Sequence, residues 1–108
     1  FKLILFFLLF SSTSFGQITG GAIMTDGRQL MTDAIFVQEG SINGWAICDL
    51  SVDIEGNVTS SSIVETNLKR TSAKMQIRNY VNTLKFEKGT HYPKFHHVLI
   101  KITLVKPI

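Results

Sequence analysis

Three groups of residues carry side chains suited to chemistry: the single cysteine Cys48, three histidines at positions 91, 96 and 97, and a basic series formed by Arg70, Lys74, Arg78 and Lys85. Cys48 alternates with apolar neighbours, which reads as a small buried core residue. A nucleophilic thiol needs exposure and a lowered pKa. His96 and His97 are adjacent, so on a strand they point to opposite faces, and no carboxylate or cysteine lies close to them in sequence. No metal or other cofactor is expected, and no nucleophile, base and orienting group can be placed together, so an enzyme is not expected. Asn57, Val58 and Thr59 match a glycosylation sequon, but at this position they also read as a turn followed by a β-former. The basic series has two readings: a solvated helix face, or a docking stripe for an acidic partner, a phosphate or a lipid headgroup.

The elements that must position these residues follow a leader, FKLILFFLLFSSTSFGQ. Its apolar run and the small residues Ser14 and Gly16 read as a signal peptide over residues 1–16. The run from Leu3 to Phe10 is far shorter than the roughly 20 residues that cross a bilayer, so no stable membrane anchor is expected in the chain as given. The expected location is periplasmic or secreted. Residues 17–108 suffice for one small domain, and a lone cysteine can form no intramolecular bridge. Charge is divided along the chain: residues 17–65 hold one basic and seven acidic residues, residues 66–108 nine basic and one acidic. That asymmetry favours packing of the two halves together as well as an outside partner. Nucleic acid is not expected as a partner, because secretion separates the chain from it and no aromatic residues interleave with the basic stripe.

Strict alternation places Ala46, Cys48, Leu50, Val52 and Ile54 on one face of a strand and Asp49, Ser51 and Asp53 on the other. Glu55, Gly56 and Asn57 supply a turn, and residues 58–65 continue as the second arm of a hairpin. Ala73, Ile77, Tyr80, Val81 and Leu84 recur at helical spacing, predicting a helix over about 71–84 with Thr71 or Ser72 as N-cap. A last strand over 95–106 has Val98, Ile100, Ile102 and Leu104 on one face. The expected fold is α+β: a small antiparallel three-stranded sheet with one helix packed on it, in the order β-β-α-β. Residues 17–43 read as an N-terminal extension of uncertain structure, with "GGAIMTDGRQLM" as a small hairpin about Asp26 and Gly27 and "AIFVQEG" as a short strand or helical turn. Residues 44–108 form the domain. Trp45 falls opposite Ala46 and Cys48, where it packs on the N-terminal segment or meets a partner.

Gly44, the alternation to Ile54, Gly56 and Val58, then Leu84, Lys85, Phe86 and Gly89, and the final apolar strand together resemble the C-terminal domain of TonB, the periplasmic energy transducer of Gram-negative envelopes. The resemblance covers roughly residues 43–106. Leucine stands at position 84 where the family usually has tryptophan, and lysine at 88 where it usually has proline. The family's membrane helix and long proline-rich spacer are replaced here by the leader, which leaves energy transduction outside what the resemblance implies. What it implies is a TonB-like module that pairs with an extended peptide segment of an envelope or outer-membrane transport protein, such as a receptor segment. The alternative is a structural or assembly domain of the envelope with no peptide ligand.

The final strand, taken as a sheet edge, is the expected acceptor of an acidic or polar peptide along residues 97–104, or of a second copy in a homodimer. His97, Leu99, Lys101 and Thr103 on that strand, with Arg70, Lys74 and Arg78 on the helix, are the candidate partner-binding residues.

Overall fold

The computed structural model describes residues 18–108; the signal peptide expected over 1–16 lies outside the described residues. The elements in chain order are β1 (Ile18–Gly20), α1 (Ala22–Asp26), β2 (Val37–Glu39), β3 (Gly44–Val52), β4 (Val58–Thr66), α2 (Thr71–Val81) and β5 (His96–Val105). The fold is α+β, with a largely antiparallel sheet of five strands and two helices. The three-stranded expectation is thus corrected by two short strands, β1 and β2, each too brief to show an alternation in sequence. Among the described residues no helix is long and apolar enough to cross a membrane.

The hairpin is built as its pattern predicts. β3 pairs antiparallel with β4, and Ala46, Cys48, Leu50 and Val52 are fully buried. Its turn is held by Asp53, whose Oδ1 accepts from the backbone N–H groups of Glu55 and Asn57 at 3.0 and 2.9 Å, the local bonding that suits aspartate to turns. Gly56 adopts φ +88°, and a side chain there would run into the carbonyl of Phe86. Only glycine meets both conditions at low cost.

β5 carries Val98, Ile100, Ile102 and Leu104 on the face shared with the buried residues of β3. α2 closes this face with Ala73, Ile77 and Val81, and Leu84 and Phe86 follow it into the core. Each large aliphatic chain so buried contributes about 1.5–3 kcal/mol. The helix is shorter than its periodicity suggests: it ends at Val81, and Leu84 follows the turn at residues 82 and 83. Its N-cap is Arg70, in extended conformation with no side-chain cap bond, rather than Thr71 or Ser72.

The N-terminal extension is part of the same sheet. β1 pairs antiparallel with β5 at Ile18 and Gly20, and β2 runs parallel to β5 with Val37 opposite Thr103 and Glu39 opposite Val105. The hairpin expected about Asp26 and Gly27 is instead the single helical turn α1, ended by Gly27 in the left-handed region at φ +74°, a common way for a helix to stop. Within AIFVQEG, residues 34–40, Val37–Glu39 form a short strand, one of the two readings of that stretch.

The decisive consequence concerns β5. With β3 on one side and β1 and β2 on the other, β5 is an inner strand. The expectation that residues 97–104 form an open edge is therefore corrected. Length and strong alternation mark a strand with one well-buried face, which is a separate matter from whether its edges are paired.

Candidate functional site

Backbone direction in the sheet identifies where an edge does exist. Thr103 N–H donates to Phe36 O at 2.8 Å and Val105 O accepts from Gly40 at 3.0 Å, so the odd-numbered residues of β5 turn their polar backbone away from β3. By the alternation of antiparallel ladders, Val98 and its opposite number Leu50 bond to each other. Leu50 is also opposite Ser61 on β4. Ser61 must therefore turn its N–H and C=O away from β3. β4 lies at the end of the sheet path, with no strand beyond it among the described residues.

A cleft of about 330 Å³ runs beside this edge, lined by Ser61, Ser62 and Ile63 from β4 and by Thr71, Lys74, Met75 and Arg78 from α2. Met75 is half exposed at 53%. Arg78 reaches across the cleft, and its Nη2 donates to Ser61 O at 3.2 Å. The cleft thus has an apolar part made by Ile63 and Met75, two cations above it and an unpaired strand edge along one wall. Such a combination can hold an extended chain through its backbone while the cations meet acidic side chains.

The candidate residues divide between two places. Lys74 and Arg78 line the cleft, and Arg70 is exposed at the start of the same helix. His97, Leu99, Lys101 and Thr103 lie on the sheet face opposite α2, in register with Ser51, Asp49, Ile47 and Trp45. There His97 Nδ1 meets Asp49 Oδ1 at 3.1 Å and Lys101 Nζ stands 5.2 Å from the centre of the Trp45 ring. Exposed pairs of this kind contribute little to stability. Of these seven residues, the structure brings only Lys74 and Arg78 beside an open edge.

Cys48 is fully buried, and burial pushes its thiol up to about 11, with the nearby Arg78 charge acting in the opposite direction. It is protonated and sealed, so it is not a nucleophile at neutral pH.

A second polar cluster escaped the sequence reading. His96 has no exposure, and its Nδ1 accepts from Arg28 Nη1 at 3.2 Å while its Nε2 is 2.7 Å from Asp26 Oδ2. A guanidinium only donates, so Nδ1 must be the bare nitrogen and Nε2 must carry the hydrogen given to Asp26. Arg28, itself buried, also donates from Nε to Glu87 O and from Nη2 to Asp53 O, both at 2.7 Å. Tyr92 covers the guanidinium, its ring centre 4.3 Å away, and its hydroxyl donates to Glu87 Oε1 at 3.1 Å. Burial lowers the Arg28 pKa, opposed by Tyr92, Asp53 and Glu87; burial and then Glu87 raise that of Tyr92.

Both histidine nitrogens are committed, so His96 offers neither a free metal ligand nor a free base. The cluster ties the β3–β4 turn, the loop before β5 and β5 to one guanidinium, and α1 to them through His96. Two signals in sequence point to it: Arg28 is the one basic residue of an otherwise acidic half, and His96 shares the parity of the buried residues of β5.

The chain matches no family model, and no curated protein or solved structure is significantly similar to it.

Proposed function

We propose that this chain is a TonB-like binding module of the periplasm or the secreted space, which adds an extended acidic or polar segment of an envelope or outer-membrane transport protein to its sheet. The observation that carries this reading is the unpaired edge of β4 beneath Lys74 and Arg78. Between the register shifts at Thr59 and Val64, the stretch Ser60–Ile63 offers backbone donors and acceptors at regular spacing, and β4 has no proline or lysine to discourage pairing. The site is therefore β4 with α2, in place of the β5 segment suggested by sequence.

Charge argues for a different chain as the occupant over a second copy. Antiparallel pairing of two β4 strands about a two-fold axis puts both α2 helices on one face of the joined sheet, with their Lys74 and Arg78 side chains drawn together. Like charges so placed oppose association. An acidic segment removes that repulsion.

The test uses a capped nine-residue peptide of alternating threonine and valine with a central glutamate. On titration into the protein, the backbone amides of Ser61 and Ile63 are expected to become protected from hydrogen exchange, while the amides of β5 keep their protection unchanged. A peptide that leaves the β4 amides as they were overturns the strand-addition reading and favours an envelope assembly domain without a peptide ligand.

A further inference from the structure

Arg78 does more than add positive charge to the cleft. Its side chain is exposed, yet Nη2 donates to the carbonyl of Ser61, one of the backbone groups that the edge presents to an incoming strand. An incoming strand must bring an N–H to that same carbonyl. The Arg78 bond and the incoming ladder bond therefore compete for one acceptor. Edge strands are commonly guarded by a feature that lowers their readiness to pair; β4 has register shifts at Thr59 and at Val64, and on the regular stretch between them, Ser60–Ile63, the guard is a side chain that can swing away.

Resting on the strand-addition reading above, we infer that Arg78 is a gate on the β4 edge that selects for a carboxylate in the partner. A neutral strand must displace Arg78 from Ser61 O and leave the guanidinium to water. A strand with a glutamate or aspartate opposite Ser61 gives it a new acceptor, and the bond formed is charge-assisted and stronger than the one surrendered. Lys74, one turn earlier on α2 and lining the same cleft, adds to the attraction without touching the edge. Arg78 is thus a specificity-determining residue, and Lys74 a general electrostatic one.

The experiment compares three capped nine-residue peptides of alternating threonine and valine, carrying glutamate, glutamine or lysine at the centre. They are titrated into the parent protein, Arg78→Gln and Lys74→Gln, with affinity from calorimetry and contact from protection of the Ser61 and Ile63 amides. In the parent the glutamate peptide is expected to bind about tenfold more tightly than the glutamine peptide, the factor that separates a charge-assisted from a neutral bond. In Arg78→Gln the two should agree within about threefold, because the glutamine peptide gains from the uncovered carbonyl while the glutamate peptide loses its cation. In Lys74→Gln the glutamate preference should shrink but persist, with no gain for the glutamine peptide. Arg78→Lys, which keeps charge and the helix surface, should hold part of the preference, guarding against a loss of fold in the glutamine variant. Binding at β4 with the same preference in Arg78→Gln as in the parent overturns the gate and leaves strand addition standing. Absence of protection at Ser61 and Ile63 with all three peptides overturns strand addition itself.

Discussion

β4 and β5 are strands of nine and ten residues that lie on opposite sides of β3 and differ in almost every other respect. β5 alternates cleanly and buries one whole face. β4, "VTSSSIVET", is mostly serine and threonine and buries none of its residues fully. Sequence reasoning took the stronger strand for the available one, since a regular β-forming run without proline makes a good template. The comparison teaches that alternation reports how well one face of a strand is covered and carries no information about whether its edges are paired. The long available edge belongs to β4, which pairs on one side and buries none of its residues fully; β1 and β2, which also pair on one side, are three residues each.

The largest expected effects test that division directly. Leu50 lies at the centre of β3 with no exposure, and Leu50→Ala is expected to cost about 2–5 kcal/mol through lost transfer energy and the cavity left behind. Val64 on β4 is 57% exposed, and Val64→Ala is expected to change stability by no more than about 0.5 kcal/mol. Urea midpoints at a constant slope measure both. A large loss at Val64 means that β4 is covered by something the fold does not include.

The Cys48 thiol examines the seam between the two strands, since it is opposite Ile63 of β4 and Ile100 of β5. Its pKa is raised to about 11 by burial from an ordinary value of 9.0. Below pH 9 both the folded and unfolded chains carry a neutral thiol, and this group's stabilising effect is fully present. Between pH 9 and 11 the unfolded chain ionises first, so stability falls as pH rises, by roughly 3 kcal/mol once both have ionised. The difference between the parent and Cys48→Ala across this window isolates the thiol from Tyr92, which titrates in both. A thiol that ionises near pH 9 in the folded protein means that β4 opens readily and that the seam on its side is not sealed.

How much was legible in the sequence follows from the range of each contact. The β3–β4 hairpin and the core stripe of α2 arise from residues close in the chain, and there the periodicities of two and 3.6 point directly to Leu50, Val52, Ala73 and Ile77 as core. The short strands are different. Val37 to Glu39 is a strand because Thr103 to Val105 is beside it, and three residues carry no period of their own. The N-cap was misplaced for a related reason: Thr71 has the side chain for capping, but Arg70 occupies the capping position in extended conformation. The basic stripe was legible as a stripe, and Lys74 and Arg78 do face a cleft, yet its other wall comes from a strand whose polarity gave no sign of it. Arg28 and His96 each stand out in the sequence, but no local pattern pairs two residues 68 positions apart.

The smallest expected difference is the most discriminating, because it separates two prolines in the same sheet. Thr103→Pro removes an N–H that donates to Phe36 O at 2.8 Å and leaves that carbonyl, in a half-buried loop, without its partner. The expected cost is about 1–3 kcal/mol, the penalty of a lost bond with one group stranded. Ser61→Pro removes an N–H that faces away from β3 and serves no internal ladder bond, as prolines in edge strands do. It also deletes a buried hydroxyl that has no hydrogen-bond partner, and the residue before it, Ser60, is already extended as a preceding residue must be. Its expected cost is below about 1 kcal/mol by the same measure, with strand addition lost. The two variants are compared by denaturant midpoint and by binding of the glutamate peptide. The expected pattern is a destabilised Thr103→Pro that still binds below its transition and a stable Ser61→Pro that does not. Equal destabilisation by both means that β4 is paired on its outer side, and the edge that carries the functional reading is not free.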